Sequence, residues 1–183
     1  MANKLNCYNK VMGLYRFSPI ASEAELYKVI EYLHKTCHEL CFDVFGKYLP
    51  VAGNVGIFSH YDNEFADLSK LRSALTAGVP NYNNKYFKLL EPITISAQGD
   101  IPEATYEFLY IRNPDPYRSQ VGDVDFMLNP SEHEVFKRGL TTNEFHNKAR
   151  IFSRPEENMI ELFDTDKDVL SYVVTSPMSE KAK

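Results

Sequence analysis

The feature that most constrains the fold is a pair of alternating segments between Glu103 and Leu128, separated by a proline-rich turn. From Tyr106 to Arg112, aromatic residues and the arginine occupy every second position, which in a β-strand places them on one face of a sheet. The sequence NPDP at 113–116 ends this strand, because proline lacks an N–H donor and disfavours helix for the residue before it. Gly122 to Leu128 alternates again. These strands predict the middle of a sheet, with aromatic, arginine and carboxylate groups on the face opposite the core.

Composition limits the class of protein. The chain has 183 residues, of which 44% are hydrophobic and 13% aromatic, which is enough for a core and argues against disorder. The net charge is −5 without a cluster of Lys and Arg, so we expect no binding to nucleic acid. No run reaches the roughly 18 to 20 apolar residues of a membrane span, and the N-terminus lacks the apolar region of a secretory signal. Three cysteines are too few for a disulfide framework, so we expect a cytoplasmic protein.

The signals near the N-terminus indicate one long helix. Ser22 and Glu25 match a capping box, and the helix is predicted to end at Phe45, before Gly46. Two histidines and two cysteines lie on one flank of this helix: His34, Cys37, His38 and Cys41. Histidine and cysteine are zinc ligands, but a single helix presents its side chains on a convex surface and cannot easily surround one ion. We therefore interpret the cysteines as core residues and place the histidines at the boundary.

The remaining chain repeats one order of elements. Residues 53–112 predict β, α, β, β, with a helix capped by Asp62 and a strand from Lys85 to Ser96 in which Pro92 implies an edge or bulge. Residues 121–174 predict β, α, β, β, β, with the helix started by a capping box of Ser131 and Glu134. The repeat indicates an internal duplication.

The predicted fold class is α+β, with two βαβββ-like modules forming a curved, mainly antiparallel sheet and an extra N-terminal helix. The predicted segments are an N-terminal strand and helix extension (1–50), a first module (51–120), a second module (121–176) and a tail (177–183).

Two segments, GDVDFML at 122–128 and MIELFDTDKDVLSYVV at 159–174, resemble the glyoxalase/bleomycin-resistance, or vicinal oxygen chelate, superfamily. In the second segment, Thr165 stands where the family turn has proline, and Lys167 where it has glycine. The resemblance implies paired βαβββ modules, a small-molecule site in the hollow of the sheet, and a homodimer.

Family enzymes hold a divalent metal with a residue on each module's first strand and a glutamate on each last strand. The resemblance places these positions at Asn54, Asp123, Ser171 and, in the shortened last strand of the first half, Gln120. Serine and neutral amides are weak ligands, so the family's set of four is not intact. A substitute set of oxygen and nitrogen ligands suits a hard cation, and its predicted members are His60, Asp123 and Glu161.

Other side chains are candidates for binding or chemistry. Glu161, a lone carboxylate between two apolar residues, and Asp123 are the predicted catalytic groups. The predicted ligand-binding residues combine rings for stacking, an arginine fork for anions and a second acid: Tyr106, Tyr110, Arg112 and Asp125. Each has a simpler alternative, because strand aromatics usually pack against helices and the acids can pair with Arg112 or Arg118.

The expected function is a small-molecule-binding protein of the vicinal-oxygen-chelate type, with a lyase/isomerase-type or metal-assisted reaction on a small polar or acidic substrate. The alternative is a non-catalytic ligand-binding or protein-interaction module that has lost its metal. A metal-dependent phosphoester hydrolase ranks last. The sequence has no phosphate-binding loop, dinucleotide fingerprint or hydrolase serine elbow. The sequence is consistent with both an enzyme and a non-catalytic module.

Overall fold

A computed structural model of the protein describes residues 15–80, 85–141, 147–154 and 157–181. The helices in these ranges are α1 (Glu23–Phe45), α2 (Asp62–Leu75), α3 (Pro130–Thr141) and α4 (Met178–Lys181). The strands of the first half are β1 (Val51–Phe58), β2 (Thr76–Pro80), β3 (Tyr86–Ile95) and β4 (Ala104–Arg112). The strands of the second half are β5 (Gly122–Met127), β6 (Ala149–Arg154), β7 (Glu157–Phe163) and β8 (Val169–Val174). No helix among the described residues is long and apolar enough to cross a membrane.

The long N-terminal helix is confirmed, together with both of its ends. The Ser22 hydroxyl accepts a hydrogen bond from the backbone N–H of Glu25, and the Glu25 carboxylate accepts one from the backbone N–H of Ser22. At the other end, Gly46 adopts the left-handed conformation at φ 66°, and its N–H donates to the carbonyl of Phe42. Glycine takes this conformation without steric penalty, so it ends the helix cleanly.

The eight strands form one sheet in the order β2-β3-β4-β1-β5-β8-β7-β6. In each half the first strand pairs in parallel with the last strand, β1 with β4 and β5 with β8. The two halves join where β1 and β5 pair antiparallel at the centre of the sheet. The result is two βαβββ modules side by side in a mixed, mostly antiparallel sheet that is curved and not closed, which confirms the α+β prediction.

The two faces of the sheet differ in chemistry. One face, the helix-covered face, packs against α1, α2 and α3 and contributes residues such as Val124 and Ile160 to the main core. Because side chains alternate along a strand, the neighbours of these residues point the other way. Asp123 and Asp125 on β5 and Glu161 on β7 therefore lie on the opposite face, which we call the acidic face.

Several local predictions were wrong. The strand β2 was missed, because the sequence TAGVP contains glycine and proline and resembles a helix terminus. The cap of α3 is Asn129 and not Ser131, since the Asn129 side chain accepts from the N–H of Glu132 and Pro130 occupies the first helical position. Glycine at position 139 also predicts the end of this helix, yet α3 continues to Thr141. The predicted strand at residues 11–17 lies mostly outside the described residues, and residues 15–17 form a bend.

The bulge expected around Pro92 is present. The pairing of β3 with β4 shifts register between Lys88 and Ile93, which pair with Phe108 and Tyr106 respectively. Five residue steps along β3 thus correspond to only two steps along β4. Proline cannot donate to a sheet ladder, so an irregularity at this point is expected.

Candidate functional site: a charged pocket on the acidic face

A pocket of about 390 Å³ opens on the acidic face at one end of the strands of the second module. Its floor comes from the strands: Glu161 and Phe163 on β7, Arg150 on β6 and Leu170 on β8. Its rim comes from the turn between β7 and β8 and from the loop that follows β4. The rim residues are Asp115, Tyr117, Arg118, Ser119, Gln120, Asp164 and Thr165.

The loop that forms the rim is anchored across the end of β1. The N–H of Asp115 donates to the carbonyl of Ser59, and the N–H of Phe58 donates to the carbonyl of Val121. The Ser59 hydroxyl donates in turn to the carbonyl of Arg112, at the end of β4. These bonds hold the rim at a fixed position over the sheet.

Glu161 is held at the pocket floor by Arg150. The two residues face each other across the antiparallel pair β6–β7. The Nε of Arg150 donates to Glu161 Oε1 at 2.9 Å, and its Nη2 donates to the same oxygen. The Glu161 side chain is only 3% exposed, whereas that of Arg150 is 62% exposed. A buried carboxylate is thus compensated by a guanidinium that remains open to solvent, stacked 5.1 Å from the ring of Phe163.

A second arginine lies on the rim. The Nε of Arg118 is 3.5 Å from a carboxylate oxygen of Asp115, and its side chain is 30% exposed. Its guanidinium also lies 5.8 Å from the ring of Phe58. A distance of 3.5 Å is longer than a strong N–H···O bond, so Arg118 keeps donor capacity toward the pocket.

Buried acids and a tyrosine lie beside the pocket. Tyr172 on β8 pairs with both Asp125 and Glu161 on the neighbouring strands. Burial raises the pKa of the Tyr172 hydroxyl, and the charges of Asp123, Glu161 and Asp125 raise it further, while Arg118 opposes them. Tyr172 therefore stays protonated at neutral pH and can act as a hydrogen-bond donor next to the carboxylates.

Asp123 fits against a glycine of the first module. A Cβ atom at Gly56 would lie 1.9 Å from Asp123 Oδ1 and 3.3 Å from Cδ1 of Tyr110. Gly56 pairs directly with Asp123 across the β1–β5 junction. The missing side chain on β1 thus provides the space for the carboxylate on β5, and the two modules build this part of the acidic face together.

The predicted metal ligands do not come together. His60 is buried in a separate network, where Nδ1 lies 2.6 Å from the Ser18 hydroxyl and the ring stacks on Tyr15 with 3.8 Å between centroids. The backbone N–H of His60 donates to Glu64, which fixes the N-terminal segment to α2. Over the described part of the chain, no three His, Cys, Asp or Glu residues are grouped so that they could hold an ion. The set of His60, Asp123 and Glu161 therefore does not fit a metal.

The residues on β4 that the sequence predicts to bind a ligand are split between the two faces. Tyr106 is fully buried on the helix-covered face, where its hydroxyl lies 3.0 Å from Nδ1 of His34 on α1. Tyr110 lies on the acidic face beside Gly56 and Asp123. The register shift between β3 and β4 interrupts the simple alternation, so the prediction that Tyr106 shares a face with Tyr110 was wrong.

Two further predicted positions lie away from the pocket. Arg112 does not line it, and its guanidinium is 5.0 Å from the ring of Phe58. Ser171, the position that the resemblance assigned to a metal-binding glutamate, faces α1 near Cys37, because its neighbours Leu170 and Tyr172 occupy the other face. Gln120, by contrast, lies on the rim.

Asn54 is fully buried on β1, and its amide oxygen and nitrogen have no hydrogen-bond partner among the described residues.

The histidines and cysteines on one flank of α1 are buried in the core. Cys37 Sγ lies 3.4 Å from the carbonyl oxygen of Leu170, and burial raises the pKa of the Cys41 thiol to about 12.

Sequence reasoning missed Arg150 and Tyr172 as site residues. The period-two pattern does place Arg150 on one face of its strand, but only the register of β6 against β7 shows that it faces Glu161. Tyr172 was missed for the same reason, because only the register of β8 shows that it lies between Asp125 and Glu161.

Comparisons with known proteins give information on the fold. Neither a scan of protein-family models nor a search of curated protein sequences found a match. The chain is similar to the solved structure "Structural Genomics, Protein EC4020", with a TM-score of 0.56 and 10% sequence identity, over 91% of this chain and 94% of that chain. A likeness at this level of identity extends to the fold alone, and it covers nearly the whole of both chains.

Proposed function

We propose that this protein is a small-molecule-binding protein of the vicinal-oxygen-chelate type whose ligand occupies the pocket on the acidic face. The observation that carries the proposal is Glu161, a carboxylate at the floor of an open cavity, held by a solvent-facing arginine. A charge in this position has no role in the main core, which lies on the other side of the sheet. Concave sites with a few convergent polar groups are typical of ligand pockets.

The arrangement of the modules supports the family resemblance. Each half has the βαβββ order, and the first strands of the two halves pair at the centre of the sheet. The resemblance would place the ligand on the sheet face that carries Asp123 and Glu161. The pocket lies on that face.

We propose that binding in this pocket does not require a metal. The predicted ligands are dispersed, and the positions that the resemblance assigns to metal ligands hold Asn54, Asp123, Gln120 and Ser171, of which Ser171 points to α1. This favours the module that lost its metal over the metal-assisted enzyme. A lyase or isomerase that works by proton transfer remains the second candidate, because Glu161 and the protonated Tyr172 offer an acid–base pair beside the pocket.

A ligand screen tests the proposal. Ligand-detected NMR with a library of small polar metabolites should identify binders of the wild-type protein, and the variants Glu161→Gln and Arg118→Gln should weaken them. Glu134→Gln is the matched control, because Glu134 lies on the exposed side of α3. Absence of any binder, or binders that ignore both pocket variants, would refute the proposal.

Two measurements separate the candidates. Elemental analysis of protein purified without chelator or affinity metal should find no stoichiometric divalent ion, and finding one would restore the metal-assisted enzyme. If a binder is found, incubation with the protein in D₂O shows whether a carbon-bound proton exchanges. Exchange that is lost in Glu161→Gln would support a lyase or isomerase.

A further inference from the structure

The pocket carries buried and exposed charges of both signs, and this restricts its ligand. Building on the proposed function, we propose that the ligand is a small zwitterion of the α-amino acid type, with its carboxylate bound by Arg118 and Arg150 and its ammonium bound by Glu161.

The anionic end has two partly exposed guanidinium groups available. Arg150 uses Nε and Nη2 on one oxygen of Glu161, which leaves its Nη1 donors directed elsewhere. Arg118 is held by Asp115 only at 3.5 Å. Guanidinium groups bind carboxylates through paired, planar hydrogen bonds, so two of them at one opening favour an anionic group there.

The cationic end of the ligand is assigned to Glu161 at the floor of the pocket. Both hydrogen bonds from Arg150 go to Oε1 of Glu161, and neither goes to Oε2. Asp125 on β5 lies on the same face, one strand further away, with Tyr172 between it and Glu161, and so adds negative potential on this side of the pocket. An ammonium group is the ligand group that benefits from this potential. A ligand with only negative charge would instead be repelled by the carboxylates, and one with only positive charge by the two arginines.

The size and the remaining lining agree with a small molecule. About 390 Å³ lies near the lower end of the range of about 300–1,000 Å³ that is typical of small-molecule pockets. Leu170 and Phe163 offer an apolar contact for a side chain. Tyr117, which is 97% exposed on the rim, offers a large ring that can cover a bound ligand.

The test uses the full chain and defined probes. Pools of the twenty common amino acids are screened by saturation-transfer NMR, and each binder is then titrated by calorimetry beside two analogues, one without the amine and one without the carboxylate. We expect at least one amino acid to bind, and loss of either charged group to weaken it roughly tenfold or more.

Variants assign the two ends. Glu161→Gln should weaken the amino acid but leave the analogue without the amine unchanged or tighter. Arg118→Gln should weaken the amino acid but leave the analogue without the carboxylate unchanged, and Glu134→Gln should change neither. Circular dichroism shows whether each variant is folded. Because Arg118 lies on the rim, Arg118→Gln remains informative even if Glu161→Gln does not fold.

The possible failures are distinct. Binding that survives removal of the amine or the carboxylate, or no binding by any amino acid, overturns the zwitterion. If the metabolite library still yields ligands sensitive to the pocket variants, the proposed binding function stands without it. If the library yields none, both proposals fail.

Discussion

Replacing Arg150 with glutamine should destabilise the protein because it leaves a buried carboxylate without its cation. Breaking a fully buried ion pair costs about 3–5 kcal/mol, whereas an exposed pair contributes about 0–1 kcal/mol. Here Glu161 is buried and Arg150 is more than half exposed, so the pair lies between these limits. We expect Arg150→Gln to lower the free energy of unfolding by about 2 kcal/mol, and the melting temperature by roughly 4–8 °C for a chain of this size.

A double-mutant cycle isolates the interaction. Because Glu161→Gln removes the charge that Arg150 compensates, the variant Arg150→Gln/Glu161→Gln should recover at least half of the stability lost in Arg150→Gln. Urea denaturation followed by circular dichroism gives the four free energies. Lys137→Gln is the control, because its partner Glu134 is 60% exposed, and it should cost no more than about 0.5 kcal/mol. The reasoning is refuted if Arg150→Gln costs as little as this control, or if the two substitutions are additive.

Three further outcomes are expected. In urea denaturation, Gly122→Ala should lower the free energy of unfolding far more than Gly56→Ala. A Cβ atom at position 122 would lie 2.1 Å from the backbone oxygen of Gly56, whereas a Cβ atom at position 56 would meet the end of the Asp123 side chain. Equal losses in the two variants would contradict this reasoning. Burial lowers the pKa of His34 to about 4, so the neutral ring stabilises the fold above pH 6.5, and this contribution of roughly 3 kcal/mol is lost as the pH falls to 4. The His34→Gln variant should therefore show a flatter acid limb between these pH values, and an unchanged limb would count against this assignment. Asn54→Leu should raise the free energy of unfolding by about 1 kcal/mol, since its buried amide lacks partners, and a loss of stability would indicate a partner beyond the described residues.

The parts of the fold that depend on local sequence could be predicted. Ser22, Glu25 and Gly46 fix both ends of α1 through hydrogen bonds within a few residues, and those bonds are present. Pro92 indicated an irregular strand for the same local reason. The repeated order of strands and helices led to the fold class. Edge strand β2 was missed because its pairing with β3, and not its own composition, makes it a strand.

The site depends on which side chains meet across strands, and sequence alone does not give register. Alternation correctly placed Asp123, Asp125 and Glu161 on one face, because β5 and β7 are regular. It failed for Tyr106, since the irregular pairing of β3 with β4 changes which face a residue occupies. Alternation from Asn54 also predicts that His60 faces the cavity, but β1 ends at Phe58, and His60 contacts Ser18 and Glu64 instead.

The pocket takes its floor from paired strands and its border from two connecting segments, residues 115–120 and 164–165. Exchanges in a connecting segment leave the ladder hydrogen bonds intact, so the lining of the pocket and the stability of the fold can change independently of one another. For protein engineering, the same division offers a rigid platform on which new specificities can be installed by replacing about eight border positions alone.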